Sequence, residues 1–156
     1  MIDSAQARAF LAEGRIAVVG ASDAPKNFGR AVVAAMKESG IDVVAVHPHA
    51  TVVAGAPCYP SLALVPGVLD GVIVMVSREA VREVILACGD RGVRNVWLFK
   101  GAGPGAVSEE ALQLCLDLGM SVVAGACPLM FLEPVRGVHK LHRSLRRLNR
   151  SVGKAA

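Results

Sequence analysis

The stretch RIAVVGASDAPKNFGRAVVAAMKESG, residues 15–40, decides the fold. It opens with an apolar, partly β-branched run (residues 15–19) that stops at Gly20, and this run predicts a short buried strand. After a polar turn, apolar residues recur at helical spacing over residues 27–39, and Gly40 ends that helix. A buried strand, a glycine turn and an amphipathic helix in this order are typical of the first unit of a doubly wound sheet.

The rest of the chain repeats this alternation. Further apolar runs predict strands at residues 42–46, 71–76, 95–99 and 121–126. Helical patterns occupy residues 4–13, 79–88 and 108–118. The least regular segment, 49–70, has a candidate edge strand at 51–53. Because strands that alternate with helices form right-handed βαβ units, we predict an α/β fold. Its core is a Rossmann-like doubly wound parallel five-stranded sheet with the first strand central and helices on both faces.

Charge divides the 156 residues into two parts. Residues 1–135 carry 13 acidic and 10 basic side chains, a net of −3, whereas residues 136–156 carry seven basic side chains. The apolar residues of the second part recur at spacings of three and four, at Val138, Leu141, Leu145, Leu148 and Val152. We predict one globular domain (1–135) and a C-terminal basic amphipathic helix (136–156) that packs on the domain or on a second copy in a homodimer. The alternative is an acidic partner, either nucleic acid or an anionic membrane surface.

Composition excludes several classes of protein. With 53% apolar and 19% charged residues, the chain is not disordered. Its mean hydropathy is +0.48, yet its apolar runs have the length of strands and fall far short of the roughly 20 residues of a spanning helix. The N-terminal residues do not resemble a secretion signal, so we expect a cytoplasmic protein. The four cysteines lack CxxC spacing, which indicates neither a zinc site nor a disulfide framework.

The turn after the first strand has the features of an anion site. Free N–H groups and the dipole of the following helix attract negative charge. Ser22 adds a hydroxyl donor, Lys26 and Arg30 add two cations about one helical turn apart, and Gly29 permits a close approach of ligand or strand. These residues favour phosphate or diphosphate, although Gly20 could also be present for steric reasons alone. The turn lacks the Walker pattern, which argues against ATP hydrolysis.

The end of the second strand argues against NAD. A dinucleotide-binding fold usually has an acidic residue there for the ribose hydroxyl, but the chain continues as His47, Pro48 and His49. Pro48 either presents a flat apolar surface beside an adenine ring or merely ends the strand. We interpret His47 as a loop or packing residue rather than a catalytic base.

The order of these segments resembles a known family. IAVVGASDAPKNFGRAVVAAMKESGIDVVAVHP, GVIVMVSRE, NVWLFKGAGPGAVSEEA and SVVAGACPLMF are similar to the small single-domain CoA-binding proteins, which are related to the CoA-binding domain of the succinyl-CoA synthetase α subunit. The resemblance covers residues 15–131. It implies a Rossmann-like fold and coenzyme A as the cofactor.

The same resemblance implies residue roles along the carboxyl ends of the strands. The turn that would face the CoA diphosphate consists of Gly20, Ala21, Ser22 and Asp23. Lys26 or Arg30 would meet a phosphate. The adenosine would lie between His47 and Pro48. The rim after the third predicted strand would consist of Val76, Ser77 and Arg78.

Two further positions concern the thiol end of the ligand. Cys127 precedes Pro128, which matches the Cys-Pro of the family after the last strand. Lys100 begins a glycine-rich loop longer than that of small family members, so it is either another anion contact or a surface lysine. Cys127 could form a mixed disulfide with CoA, but a buried structural thiol is the simpler interpretation.

Spacing indicates no catalytic constellation, because neither a Ser-His-Asp set nor paired carboxylates can be argued. Synthetases of the succinate type need a phosphorylatable histidine and an ATP-grasp subunit, beyond one Rossmann-like unit. We therefore predict a binding module for CoA or acyl-CoA without complete catalytic machinery of its own. The alternatives are an accessory nucleotide-binding subunit for an acyl-CoA synthetase-type enzyme with an ATP-grasp partner, or a redox or interaction protein that uses Cys127 or the basic tail.

Overall fold

The computed structural model describes residues 3–12, 14–101 and 105–132. Its helices are α1 (Ser4–Ala12), α2 (Phe28–Glu38), α3 (Val81–Asp90) and α4 (Glu109–Asp117). Its strands are β1 (Arg15–Val19), β2 (Asp42–Val46), β3 (Val52–Val53), β4 (Ala56–Tyr59), β5 (Gly71–Val74), β6 (Asn95–Leu98) and β7 (Ser121–Ala124). Short 3₁₀ turns lie at Leu62–Leu64 and Pro128–Phe131.

The strands form one mostly parallel sheet in the order β3-β4-β2-β1-β5-β6-β7. β1 lies at the centre, where Ile16 is in register with Val43 of β2 and with Gly71 of β5. Only the β3–β4 pair is antiparallel within the described sheet. The predicted α/β, Rossmann-like architecture with a central first strand is therefore confirmed.

The predicted number of five strands is wrong, because the described sheet contains seven. The two strands beyond the predicted five form a hairpin, β3–β4, in which Val53 is paired with Ala56. β3 corresponds to the candidate edge strand at 51–53, whereas β4 was not predicted. The two turn residues, Ala54 and Gly55, both have positive φ angles, of 47° and 78°, as the tight turns that join twisted antiparallel strands require. The hairpin adds to the sheet because β4 pairs in parallel with β2.

Alternate residues of the central strands face opposite helical layers. Ile16 and Val18 belong to one buried cluster with residues of α1 and α2. Ala17 and Val19 belong to a second cluster with residues of α3 and α4. Both faces of the sheet are thus covered, which is why its strands are continuous apolar runs rather than alternating ones.

Trp97 of β6 lies in the core, as its position in an apolar run predicts. It is fully buried, and its ring packs edge-on against Phe10 of α1 and Phe131, at centroid distances of 5.4 and 5.9 Å. Its Nε1 donates to the carbonyl oxygen of Ala126 at 3.1 Å. The tryptophan therefore fixes the chain that follows β7 to the α1 face of the sheet.

Two further expectations concern the C-terminal residues and membrane-spanning helices. The predicted basic helix at 136–156, with its seam from Val138 to Val152, lies outside the described residues, and so does the boundary at 135. Among the helices that the structure does describe, none combines the length and apolar character needed to cross a bilayer.

Candidate functional site

The sheet changes its winding direction between β1 and β5. The helix after β1 covers one face and the helix after β5 covers the other, so the two loops diverge and leave a crevice at the carboxyl ends of these strands. A cleft of about 260 Å³ occupies this position. Its lining consists of Gly20, Asn27, Phe28, Gly29, Met75, Val76, Phe99, Gly101 and Gly105.

Gly20 lines the cleft at the end of β1. Its φ angle is +99°, and a Cβ at this position would overlap the carbonyl oxygen of Met75. Its N–H donates to the carbonyl of Val46 at 2.9 Å, so the turn stays close to the neighbouring strand. Both the backbone conformation and the close approach of Met75 require glycine here.

The first turn of α2 is held against the end of β1. Asn27 caps the helix: its Oδ1 accepts from the N–H of Arg30 at 3.1 Å and its Nδ2 donates to the carbonyl of Gly20 at 3.3 Å. A Cβ on Gly29 would lie only 2.7 Å from the Cα of Ala21. The close contact brings the N-terminal end of the helix, with its partial positive charge, to the edge of the cleft.

The charges around this turn are partly paired. Arg30 Nε lies 3.0 Å from Asp23 Oδ1, and both side chains are about half exposed. The same Asp23 oxygen accepts from the N–H of Ala54 at 3.0 Å, which links the turn to the tip of the β3–β4 hairpin. Lys26 is exposed and has no partner within the described residues. Ser22 accepts only a long contact of 3.5 Å from the N–H of Ala24.

His47 and Pro48 lie one strand away from the cleft, at the end of β2. The His47 N–H donates to the carbonyl of Tyr59 at 3.0 Å, and its Nδ1 accepts from the N–H of His49 at 3.2 Å. Pro48 is exposed. These contacts agree with the interpretation of His47 as a loop residue, and they leave the face of the Pro48 ring open to solvent.

Of the remaining rim residues predicted for the site, one lines the cleft and the others are exposed on the surface near it. Val76 lines the cleft, whereas Ser77 and Arg78 are exposed in the turn before α3. Lys100 is exposed and follows Phe99 without lining the cleft. The predicted rim residues thus lie at one edge of the sheet, and the structure separates those that line the cleft from neighbours on the surface.

Cys127 is also outside the lining of the cleft. It is half-buried and precedes the 3₁₀ turn, where its carbonyl accepts from the N–H of Met130 at 3.1 Å. The other cysteines are buried. Burial raises the pKa of the Cys88 thiol to about 12, with a further contribution from Cys115, and burial raises the pKa of Cys115 to about 11. Both thiols are buried in the core, and we expect them to be unreactive at neutral pH.

The sequence did not predict the aromatic part of the cleft. Phe28 is one of the apolar residues that recur at helical spacing over 27–39, but it is 46% exposed and its ring stacks on that of Phe99. The ring centroids are 5.5 Å apart and the planes differ by 24°. The sequence does contain a signal for this position, because Phe28 directly follows the cap residue Asn27 and therefore lies in the first turn of α2, which borders the cleft.

A mostly parallel sheet with a cleft and a capped helix start at its switch point defines the Rossmann-like class of ligand-binding domains. A model of the CoA-binding domain matches residues 14–133. The chain therefore belongs to the CoA-binding domain family, as the sequence resemblance indicated.

The relatives of this chain include both enzyme subunits and small proteins. The chain is 32% identical, over 120 residues, to the α subunit of an ADP-forming acetate–CoA ligase II from Pyrococcus furiosus. The match covers 72% of this chain but only 26% of that subunit. It is 31% identical over 113 residues to the uncharacterized protein YneT of Bacillus subtilis, covering 72% of this chain and 81% of YneT.

Solved structures repeat this division. A hypothetical protein from Pyrococcus horikoshii superposes with a TM-score of 0.75 at 27% identity, covering 83% of this chain and 89% of that one. A dinucleotide-forming acetyl-coenzyme A synthetase 1 from Candidatus Korarchaeum cryptofilum superposes with a TM-score of 0.60 at 29% identity, covering 70% of this chain and 25% of the synthetase. The chain thus corresponds in extent to the small proteins and to one part of the ligases.

Proposed function

We propose that this protein binds coenzyme A or an acyl-CoA at the carboxyl edge of its sheet, as a module without complete catalytic machinery of its own. The observation that carries the proposal is the cleft at the β1–β5 switch point, where Gly20 and the Asn27-capped start of α2 form one wall. The N–H groups of Gly20 and Arg30 are bonded within the protein, so the wall offers a diphosphate the positive end of the α2 dipole and the first N–H groups of that helix, at Phe28 and Gly29.

The order of residues along this edge matches the order of groups in CoA. Pro48, at the end of β2, offers an exposed apolar ring for adenine. Lys26 and the turn formed by residues 20–23 supply charge and N–H donors for the phosphates. The cleft, between the ends of β1 and β6, offers a mostly apolar channel for the pantetheine arm.

Isothermal titration with CoA tests the proposal directly. We expect saturable binding that weakens for dephospho-CoA, which lacks the 3′-phosphate, and for Lys26→Ala, which removes a cation of the turn. Arg94→Ala is the matched control, because it removes an exposed cation next to the start of β6, at the opposite edge of the sheet. No heat of binding at millimolar CoA would refute the proposal.

A second candidate is an accessory nucleotide-binding subunit of an acyl-CoA ligase. The observation in its favour is the 32% identity to the α subunit of an acetate–CoA ligase, of which this chain spans about a quarter. The missing chemistry would then come from an ATP-grasp partner. Affinity purification of the tagged full chain should recover such a partner in stoichiometric amount, and recovery of the chain alone or as a homodimer would count against this candidate.

A further inference from the structure

The strand β7 forms one edge of the described sheet, on the side opposite β3. Its four residues, Ser121–Ala124, pair in regular parallel register with β6 and with no other described strand. Natural edge strands usually carry a charged residue, a proline or a bulge that discourages pairing with another molecule. β7 reads SVVA and contains none of these, so this edge lacks the usual protection.

The backbone groups that point outward from this edge belong to Val122 and Ala124. The N–H groups of Ser121 and Gly125 donate to carbonyls of β6 at 2.7 and 3.3 Å, and alternate residues of a strand direct their backbone groups to opposite sides. A side chain of α1 confirms the direction, since Gln6 Nε2 donates to the carbonyl of Val122 at 3.1 Å. Among the described residues, the outward N–H groups of Val122 and Ala124 have no acceptor.

An exposed leucine lies beside these groups. α4 joins β6 to β7 and is the outer of the two helices on its face of the sheet. Leu118, at the end of α4, faces α3, because a Cβ on Gly89 would lie 3.5 Å from its side chain. Leu116 is about 200° away from Leu118 around the helix, so it lies on the flank that faces away from α3. It is 62% exposed, and it adds apolar surface next to the open strand.

The partner that fits such an edge is another extended strand, because a strand presents N–H and C=O groups at the matching spacing. The chain beyond Leu132 does not have the pattern of a strand. It contains Pro134 and Gly137, and its apolar residues from Val138 onward recur at helical spacing. The remaining candidate within the protein itself is β7 of a second copy.

Two copies of β7 are complementary to each other. In an antiparallel arrangement centred on Val123, Val122 of one copy is opposite Ala124 of the other, and the two residues exchange N–H···O=C bonds. The carbonyl of Val122 can accept such a bond beside that from Gln6, because a carbonyl oxygen has two lone pairs. Since β7 carries no charge, the two strands do not repel each other.

We propose that this edge is a homodimer interface, in which β7 pairs with β7 of a second copy about a two-fold axis at Val123. An axis perpendicular to the sheet places α4 of both copies on the same face, so that the two Leu116 side chains flank the paired strands. The inference is independent of the proposed function, because no residue of β7 or α4 belongs to the described lining of the cleft.

Sedimentation equilibrium of the full chain, from micromolar to millimolar concentration, tests the interface. We expect a reversible equilibrium between monomer and dimer. Leu116→Glu adds like charges on both sides of the axis and should raise the Kd of the dimer about tenfold or more. Val122→Pro removes the outward N–H without removing a bond to β6 and should also weaken the dimer. Leu116→Glu alters only an exposed side chain, so it remains informative if the proline variant does not fold.

Leu64→Glu is the matched control, because Leu64 is equally exposed, at 62%, but lies in the 3₁₀ turn Leu62–Leu64, outside α4 and β7. It should leave the Kd unchanged. Amide hydrogen exchange measured by NMR locates the interface: Val122 and Ala124 should be protected in the dimer and exchange rapidly in the Leu116→Glu monomer. A protein that stays monomeric at millimolar concentration would overturn the inference. So would protection of these amides in a monomer, or a dimer that Leu116→Glu weakens no more than Leu64→Glu.

Discussion

Asp23 lies within a turn that we propose to bind phosphates, and this position leads to a counterintuitive prediction. Its carboxylate is 3.0 Å from Arg30 Nε, so a cation that could face the ligand is already neutralised. A phosphate that approaches the turn must compete with Asp23 for Arg30 and is also repelled by the carboxylate. We therefore expect Asp23→Asn to tighten the binding of CoA.

The structure sets the size of this effect. Both side chains of the pair are about half exposed, and exposed ion pairs contribute about 0.2–1 kcal/mol. Releasing Arg30 for the ligand should thus increase the affinity about 1.5- to 5-fold. The change in folding stability should stay below about 1 kcal/mol, because the amide oxygen of asparagine can still accept from the N–H of Ala54, as Asp23 does at 3.0 Å.

Isothermal titration with CoA at 50 mM salt, repeated at 1 M salt, measures the effect. The gain should disappear at 1 M, where the Debye length is only about 3 Å. Asp90→Asn is the control for net charge, because Asp90 is an exposed carboxylate at the far end of α3. If Asp23→Asn weakens binding more than twofold and Asp90→Asn does not, then Asp23 orients Arg30 for the ligand and our reasoning is wrong.

Three further predictions concern the turn, the core and the thiols. Gly20→Ala should cost about 1–3 kcal/mol of stability in urea unfolding, because alanine is strained at a φ of +99°; a stability equal to wild type would contradict the geometry. Trp97→Phe should cost about 1–3 kcal/mol in the same assay, because it leaves the buried carbonyl of Ala126 without its 3.1 Å hydrogen bond. Cys88 and Cys115 should resist Ellman's reagent until the protein unfolds. Because burial raises the folded pKa of Cys88 to about 12 from an ordinary value of 9.0, its contribution to stability should be complete below pH 9 and decline as the pH rises towards 12.

The central part of the fold could be predicted because local and global signals agree there. The apolar run of β1, the turn at Gly20 and the period of α2 each indicate the same βαβ unit, and the observed strand begins and ends at the predicted residues. The candidate edge strand at 51–53 corresponds to β3, but its partner β4 was missed because the turn residues between them, Ala54 and Gly55, are not the usual Asn-Gly pair. Pro57 within β4 also argues against a strand unless the strand is known to lie near an edge.

The side chains that meet across the cleft could not be predicted from the sequence, for a different reason. Position along the chain places residues at the carboxyl edge of the sheet, which was sufficient to find Gly20, Gly29 and Val76. Which side chains then meet across the cleft depends on the distance between β1 and β6, which are not neighbours in the sheet. The contact of Phe28 with Phe99 is of this kind, and no local pattern encodes it.

The hairpin has a consequence for how copies of this chain could associate. β3 is only two residues long and forms one margin of the sheet, so it offers few free backbone groups to a strand of another molecule. A longer edge strand in a chain this rich in valine could pair with strands of other molecules and extend the sheet between them. We expect such a short outer strand to disfavour growth of an intermolecular sheet from that side, so two copies that meet there would associate mainly through side chains.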